Sequence, residues 1–476
     1  MIASKTMARQ ALAAVALVLV SSQAALAAIP IQQWSLANGA KVYLVESHGI
    51  PMVDVQVDFD AGARRDPVGK SGLSSVTARM TSKGVAADDR AAAPPPGASA
   101  PSGGSAVVPA TSVGAYLPAL DENQLSEAWA DLGGSFGGSA GSDRMSFTMR
   151  SLTYPDLLPR AVQLAARQLG EPSFPESVWL RDRERMSASI REANTRPATV
   201  AGRAFASAVY GSHPYGFETT EASLAQIAVA DMRSYYLAHV EPCRAKVSVV
   251  GDVTRAQAEA LVNNLLARLP QRAGGACEAL SPVPDVAPLT QARVEAIPFQ
   301  SAQAHVLIGQ PGYKRNDPDF FPLTVGNYIL GGGGFVSRLT NEVREKRGLS
   351  YSVYSYFAPG LHAGAFTVGM QTRPDQTAQA VTVSREVLER FVADGPTEAE
   401  LKAAKDNLVG GFALRIDSNR KLLDNVANIA WNNLPLDYLD TWTQAIEKIS
   451  LEDVKAAFQR KLRADAMVTV VVGGVP

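Results

Sequence analysis

Histidine is the side chain best suited to metal binding and proton transfer near neutral pH, and the chain contains five. They are His48, His213, His239, His305 and His362. None has a second histidine at the spacing that lets two side chains on one helix face hold one Zn²⁺. No Ser-His-Asp arrangement can be identified either. The histidines therefore predict neither a metal centre nor a nucleophilic triad.

A run of four glycines, Gly331, Gly332, Gly333 and Gly334, is the next candidate for chemistry. No Lys followed by Ser or Thr comes after it, so the run does not predict a phosphate-binding loop. Two interpretations remain. Backbone without side chains can approach a substrate chain closely, or the run is a flexible turn between helices.

Arg344 and Tyr351 follow this run, seven positions apart. The pattern predicts a helix over 337–347, a C-terminal cap at Gly348 and a strand over 349–357. Arg344 then lies one turn before the cap. Tyr351 is the third residue of the strand, and alternation places Tyr354 on the opposite strand face. From the residues alone, the pair could equally be a surface arginine and a strand tyrosine.

Residues 72–84 resemble the active-site helix of the M16 (pitrilysin-type) metallopeptidases. In that family a Gly-Leu-Ala start leads into His-x-x-Glu-His, then Met, then Lys-Gly. The matching positions here are Gly72, Leu73, Met80, Lys83 and Gly84. The three positions that hold the zinc ligands and the base in the family are Ser75, Ala78 and Arg79 in this chain. Ser is a poor zinc ligand, Ala has no donor atom and Arg is a permanent cation. The sequence therefore predicts no metal and no cofactor in this chain.

The resemblance extends to Arg344 and Tyr351, which match an Arg/Tyr pair in the C-terminal half of the family's catalytic unit. It implies that both side chains donate hydrogen bonds to a substrate carbonyl as it becomes an oxyanion. It also implies that the glycine run contacts substrate. The family's third zinc ligand is a Glu on a later helix. The corresponding helix is predicted here over 176–193, with Glu184 and Glu192 available.

Some members of the family divide the two sets of residues between two chains, and this chain has only the second set. The resemblance implies the non-catalytic subunit of a heterodimeric zinc metalloendopeptidase. Its partner would be an M16 subunit with an intact His-x-x-Glu-His and the zinc, and its substrates would be peptides. The alternative is a catalytically inert scaffold or peptide-binding protein derived from a peptidase.

The chain also repeats itself, which predicts two similar α+β domains. Strand-like Met52–Phe59 matches 305–309, and 246–251 matches 467–473. A length of 476 residues is too great for a single core. The predicted domains are 30–270 and 296–476, joined by a linker at 271–295. The resemblance implies an antiparallel sheet with helices on one face in each domain, the two together forming a half-clamshell.

The N-terminus and the composition bear on location and partners. Lys5 and Arg9, an apolar run and a small-x-small site predict a signal peptide over 1–27, although an uncleaved anchor would look similar. We therefore expect export, to the periplasm of a Gram-negative bacterium, and no later membrane span.

A formal net charge of −1 argues against a nucleic-acid partner.

Two further features leave alternatives open. Cys243 and Cys277, the only two cysteines, form either one disulfide or two buried thiols. Residues 85–115 are rich in Pro, Ala and Gly and are predicted to be a disordered loop or a flap against a partner.

Overall fold

The computed structural model describes residues 29–87, 117–270 and 277–473. The predicted signal peptide lies outside these ranges, as do nearly all of the Pro/Ala/Gly-rich segment and the first residues of the predicted linker. None of the helices in the described ranges combines the length and apolar character needed to cross a lipid bilayer.

Two large sheets organise the molecule. The first has the strand order β1-β2-β8-β3-β7-β6 and the second β11-β12-β10-β13-β9. The first sheet comprises β1 (Gln32–Ser35), β2 (Lys41–Glu46), β3 (Met52–Phe59), β6 (Ser135–Ala140), β7 (Met145–Leu152) and β8 (Lys246–Gly251). A small ladder pairs β4 (Gly84–Val85) with β5 (Leu120–Asp121). The second sheet comprises β9 (Arg293–Ile297), β10 (Ala304–Pro311), β11 (Ser350–Phe357), β12 (Ala365–Thr372) and β13 (Val468–Val472).

Helices fill the connections. In the first half they are Leu73–Met80, Glu122–Asp131, Leu158–Gly170, Glu176–Ala193, Pro197–Tyr210, Glu221–Ala225, Val229–His239 and Arg255–Leu266. In the second half they are Phe320–Asn327, Thr377–Asp394, Glu398–Gly410, Asn419–Asn432, Tyr438–Lys448 and Leu451–Lys461, with π-helical turns at Tyr328–Gly332 and Thr340–Glu345. Short 3₁₀ turns lie at Ala63–Arg65, Pro214–Gly216, Pro242–Arg244, Gly334–Val336, Pro374–Gln376, Phe412–Arg415 and Ala464–Ala466.

The strand order repeats between the two sheets. The series β2-β8-β3-β7-β6 in the first corresponds to β9-β13-β10-β12-β11 in the second. Each series contains one parallel pair, β2 with β8 and β9 with β13, and its other pairs are antiparallel. The predicted fold class, α+β in two similar halves, is confirmed. The predicted linker is shortened, because β9 begins at Arg293 and completes the edge of the second sheet.

The prediction that helices cover one face of each sheet was incomplete. In addition, each half contributes one helix that packs on the sheet of the other half. Pro197–Tyr210 belongs to the first half but packs on β10 and β13 of the second sheet. Asn419–Asn432 belongs to the second half but packs on β8 and β3 of the first. We call these two the exchanged helices. Seven of the eight residues of β3 are buried, and Asn419–Asn432 is the exchanged helix that packs on this strand.

Apolar contacts hold each exchanged helix in place. Phe205 and Val209 pack with Val468, Val470 and Val472 of β13 in one cluster. In the mirror arrangement, Val426, Ile429 and Ala430 pack with Tyr43, Val45 and Val250. The two halves therefore share cores and do not meet only through a linker.

A partly buried lysine contacts the end of the second exchanged helix. Lys246 Nζ donates to the carbonyl oxygens of Ala430 at 2.8 Å and Trp431 at 3.1 Å, and to Asn433 Oδ1 at 2.9 Å. The two carbonyl oxygens belong to the C-terminal turn of this helix, where a cation is favourable. Burial nevertheless lowers the pKa of Lys246 to about 8.

Candidate functional site

The helix that corresponds to the family's zinc helix is well formed. It spans Leu73–Met80 and begins after Gly72, whose φ of 100° suits glycine. Asp66 accepts hydrogen bonds from the backbone N–H of Gly72 at 2.7 Å and of Ser74 at 2.8 Å. Burial raises the pKa of Asp66 to about 6, although these two N–H donors act in the opposite direction.

The three chemical positions on this helix supply no metal ligand. Ala78 is fully buried, and the helix packs so closely on β6 that a Cβ on Gly138 would lie 2.5 Å from the Ala78 carbonyl oxygen. Ser75 is partly buried and Arg79 is exposed. A methyl group, a hydroxyl and a guanidinium do not form a zinc-binding set, so the residues present do not fit the metal that the resemblance implies.

The helix that would provide a third ligand spans Glu176–Ala193, as the sequence predicted. Glu184 lies 3.2 Å from Arg191, and Glu192 is paired with Arg196. Both glutamates are exposed, and they serve as ordinary ion-pair partners on a helix surface. Within the described ranges, the group with metal-ligand spacing is Glu241, Cys243 and Cys277.

The structure joins the last two of these residues in a disulfide, with Cα atoms 5.7 Å apart. The disulfide ties the start of the inter-domain segment to the turn that precedes β8. Further along the segment, Arg65 donates to the Ser281 carbonyl oxygen at 3.0 Å and His213 Nε2 lies 3.0 Å from that of Pro284. The segment is thus fastened along the first half before it enters the second.

The Tyr210–Gly216 segment joins the halves directly. Tyr215 donates its hydroxyl hydrogen to Asp143 at 2.5 Å and accepts the His362 backbone N–H at 3.2 Å. Asp143 also accepts the N–H of Leu361 at 2.9 Å. Burial raises the pKa of Tyr215 and lowers that of His213. These residues stabilise the junction, and His213 is accounted for by packing and hydrogen bonds.

Arg344 and Tyr351 are brought together by an irregular turn. The predicted helix over 337–347 is shorter, and its regular part is the π-helical turn Thr340–Glu345. Gly348 ends it as predicted. Its φ is +62°, its N–H donates to the Arg344 carbonyl at 2.8 Å, and the Leu349 N–H donates to that of Val343 at 3.0 Å. The bond from the Gly348 N–H to the Arg344 carbonyl, with a left-handed glycine, is that of an αL cap, and the chain continues from it into β11.

The Arg344 guanidinium lies between two aromatic rings. Its Cζ is 4.7 Å from the ring centre of Tyr351 and 4.7 Å from that of Phe335. Tyr351 is 79% exposed and Phe335 is 68% exposed. Among the residues that the structure describes, no side chain bonds the Tyr351 hydroxyl. A cation that lies over aromatic rings is held in orientation by them, and the Arg344 side chain remains 28% exposed.

The prediction that Tyr354 lies on the opposite face from Tyr351 was wrong. The register of β11 against β12 shifts between Ser350 and Ser352, so Tyr351 is the extra residue of a β-bulge. The bulge reverses the alternation after it, and Tyr354 and Tyr356 are exposed as well, at 43% and 45%. Their rings stack with centres 6.0 Å apart.

The four glycines have different roles. A Cβ on Gly331 would lie 2.5 Å from the Ser355 backbone nitrogen, and those on Gly332 and Gly333 would lie 2.8 Å and 2.7 Å from atoms of Asn327 and Tyr328. These three glycines are required by close packing. Gly334 has a φ of +62° and open space around it, and it turns the chain so that Phe335 and Val336 project outward.

Sequence reasoning missed Phe335 and the exposure of Tyr354. No motif marks Phe335, since it is one apolar residue beside a glycine run. The bulge at Tyr351 has no sequence signal, because no glycine or proline stands there.

Comparisons with known proteins agree with this geometry. Residues 226–408 match a family model described as the peptidase M16 inactive domain. A crystal structure of a peptidase M16 inactive domain from Pseudomonas fluorescens superposes with a TM-score of 0.82 at 30% identity, covering 94% of this chain and 98% of that one. The periplasmic protease PqqL of Escherichia coli superposes with a TM-score of 0.73 at 17% identity, covering 94% of this chain but 46% of that one.

Curated relatives are similar over shorter stretches. An uncharacterized zinc protease of Streptomyces coelicolor is 31% identical over 47% of this chain and 49% of its own length. A non-peptidase homolog of Helicobacter pylori is 30% identical over 49% of this chain and 53% of its own length. The chain spans between half and three fifths of the length of the first curated relatives it matches.

Proposed function

Because this chain belongs to the M16 peptidase family, we propose that it is the non-catalytic subunit of a heterodimeric zinc metalloendopeptidase. Its partner would be an M16 subunit that carries His-x-x-Glu-His and the zinc. This chain would complete the partner's active site with Arg344 and Tyr351 and would help enclose peptide substrates. The second candidate is a peptide-binding scaffold without a share in catalysis.

One observation carries the proposal. Arg344 is held between Phe335 and Tyr351, on an exposed surface, while the metal positions of the same chain have become Ser75, Ala78 and Arg79. Arg344 forms an ion pair with Glu345, with Nε 3.4 Å from Oε1. It differs from an ordinary ion-paired surface arginine because its guanidinium also lies over two exposed aromatic rings.

These two side chains can do one kind of chemistry on a peptide. Arg344 supplies charged N–H donors and Tyr351 supplies an O–H donor, and neither can act as a base near neutral pH. Both suit a carbonyl oxygen that gains negative charge as water attacks the carbonyl carbon. Such donors contribute about 10²–10³ in rate in a site that excludes water. Since Tyr351 is open to solvent here, the partner must provide that enclosure.

The central test is reconstitution. The chain is co-expressed with an M16 protein from the same genome that contains His-x-x-Glu-His, and hydrolysis of a quenched fluorescent peptide is measured. Tyr351→Phe should lower kcat about 100-fold with a smaller change in KM, because one hydroxyl is lost and almost no volume. Arg344→Ala should have a similar effect, although it also removes the stem between the two rings.

The matched control is Tyr154→Phe, since Tyr154 is an exposed tyrosine of the first half outside the proposed site. It should leave kcat unchanged. A complex that assembles and keeps full activity with Tyr351→Phe would show that this chain takes no part in catalysis, and the scaffold function would replace the proposal.

Further measurements test whether the isolated chain lacks zinc and activity, and whether it is exported. The isolated chain should bind no stoichiometric zinc and hydrolyse no peptide, and one tightly held Zn²⁺ per chain by elemental analysis would contradict this.

Cell fractionation should place the chain in the periplasm with residues 1–27 removed. N-terminal sequencing that begins at Met1 would refute the predicted export.

A further inference from the structure

We propose that Phe335, Tyr354 and Tyr356 form a specificity surface that selects peptides with apolar side chains at alternate positions. The inference rests on the proposed function and adds the substrate class. We call the surface formed by these three residues and Tyr351 the aromatic face. Its occupant is an extended, unfolded peptide segment.

Exposed apolar side chains are concentrated here. Of the large apolar residues that are exposed in the described ranges, five lie between positions 335 and 356, in one short part of the chain. They are Phe335, Val336, Tyr351, Tyr354 and Tyr356. Exposed apolar residues grouped in this way mark a binding surface more often than scattered ones do. Tyr and Arg are also the residues enriched where binding energy concentrates.

The patch is continuous with Arg344. The guanidinium touches both Phe335 and Tyr351, so a peptide whose carbonyl reaches Arg344 also meets these two rings of the aromatic face. This continuity is what identifies the occupant as the peptide substrate.

The backbone of β11 is not available to this peptide. β11 is the edge of its sheet, and an edge strand can accept an added strand. Here, however, the Ser355 carbonyl accepts from Asn327 Nδ2 at 3.1 Å, and Gly331 packs against the Ser355 nitrogen. The Val353 carbonyl lies 3.4 Å from Thr340 Oγ1. The chain's own residues cover the edge, so the peptide must be recognised through side chains.

The face is rigid and regularly spaced. The Tyr354 ring lies against Gly369 of β12, where a Cβ would be 2.5 Å from the ring, and it stacks on Tyr356. Strand residues two apart are separated by about 6.6 Å. The same distance separates alternate side chains of an extended peptide, which gives the alternating preference.

The test measures peptide binding to this chain alone, without its partner. Two fluorescein-labelled peptides have the same composition and net charge. One alternates Leu with Ser, and the other places its Leu residues in one block. Wild-type protein should bind the alternating peptide at least about tenfold more tightly by fluorescence anisotropy. Tyr354→Ala and Phe335→Ala should each abolish most of that preference, while Tyr154→Ala should not change it.

Three peptide-binding results would overturn the inference, and so would one assembly result that is given after them. They are equal affinity for both peptides, a preference unchanged in Tyr354→Ala, and loss of preference in Tyr154→Ala. Circular dichroism confirms that each variant is folded, and Tyr354→Phe, which keeps the ring, should keep the preference. If Tyr354→Ala disrupts co-purification with the partner but not peptide binding, the aromatic face is a subunit interface and the inference is wrong.

Its failure is distinct from failure of the proposed function. If Tyr354→Ala leaves the peptide preference unchanged while Tyr351→Phe inactivates the complex, the specificity surface is refuted and the catalytic role of Tyr351 stands. If Tyr354→Ala abolishes the peptide preference while the Tyr351→Phe complex keeps full activity, the catalytic role is refuted and the specificity surface stands.

Discussion

Replacing Phe205 by alanine tests whether the halves share their cores. Phe205 lies on an exchanged helix of the first half and is 6% exposed. It packs against β13 and against Gly309 of β10, where a Cβ would lie 2.7 Å from the ring. The contacts that would be lost are therefore with the second half of the chain.

The magnitude follows from the buried area. A buried phenylalanine removes about 150 Å² from water, which at about 25 cal/mol per Å² contributes about 4 kcal/mol. Measured Phe→Ala substitutions in cores cost about 3–5 kcal/mol, including the cavity. We expect Phe205→Ala to lower the free energy of unfolding by about 3–4 kcal/mol. Phe217→Ala is the control, because Phe217 is 36% exposed and should lose under about 1 kcal/mol.

The decisive assay is hydrogen exchange in the native state combined with urea denaturation. If the helix is part of the second core, amides of β10 and β13 should lose protection in Phe205→Ala, although both strands lie at least 99 residues from Phe205 in sequence. Increased exchange confined to the first half, with β10 and β13 unchanged, would refute the shared core.

Three other predictions concern local features. Gly331→Ala should destabilise the protein by about 1–3 kcal/mol, because its Cβ would meet the backbone of β11. Gly202→Ala, in open space within a helix, should be neutral or slightly stabilising by urea titration. Reduction of Cys243–Cys277 should lower the free energy of unfolding by about 2–4 kcal/mol, and Cys277→Ser should no longer respond to reductant. Asp66 has a folded pKa of about 6 against 3.8, so protonation favours the folded state. The free energy of unfolding of wild type relative to Asp66→Asn should fall by up to about 3 kcal/mol as pH rises from below 4 to 7, and a flat difference would contradict this.

The fold could largely be anticipated because its signals are local. Alternating apolar residues predicted β3, strand-like residues predicted β10, and the cap at Gly348 predicted that β11 follows it. The repeat between the ends of the halves predicted two similar domains. The helix over 176–193 was predicted at its observed bounds. The exchanged helices were not anticipated, because amphipathic periodicity shows that a helix has an apolar face but not which sheet will cover it.

The candidate site also combines features that the sequence predicted with features that it did not. Residue types alone showed that Ser75, Ala78 and Arg79 cannot hold zinc, and the spacing from Arg344 through Gly348 to Tyr351 predicted that a cap and a strand would separate the pair. The contact between Arg344 and Phe335 depends on a π-helical turn and a positive φ at Gly334. Both features result from how neighbouring segments pack, and the conformational propensities of the residues do not predict them.

The sequence by itself thus determined which chemistry is lost and which side chains remain to donate hydrogen bonds, since ionisation and ligand character belong to residue types. Only the tertiary structure decided that the first three glycines serve packing, that the β11 edge is covered, and that Tyr351, Tyr354 and Tyr356 are all exposed. The physical reason is that a single bulge reverses the facing of every residue after it, and a bulge forms where neighbouring segments pack, not where a local pattern requires it.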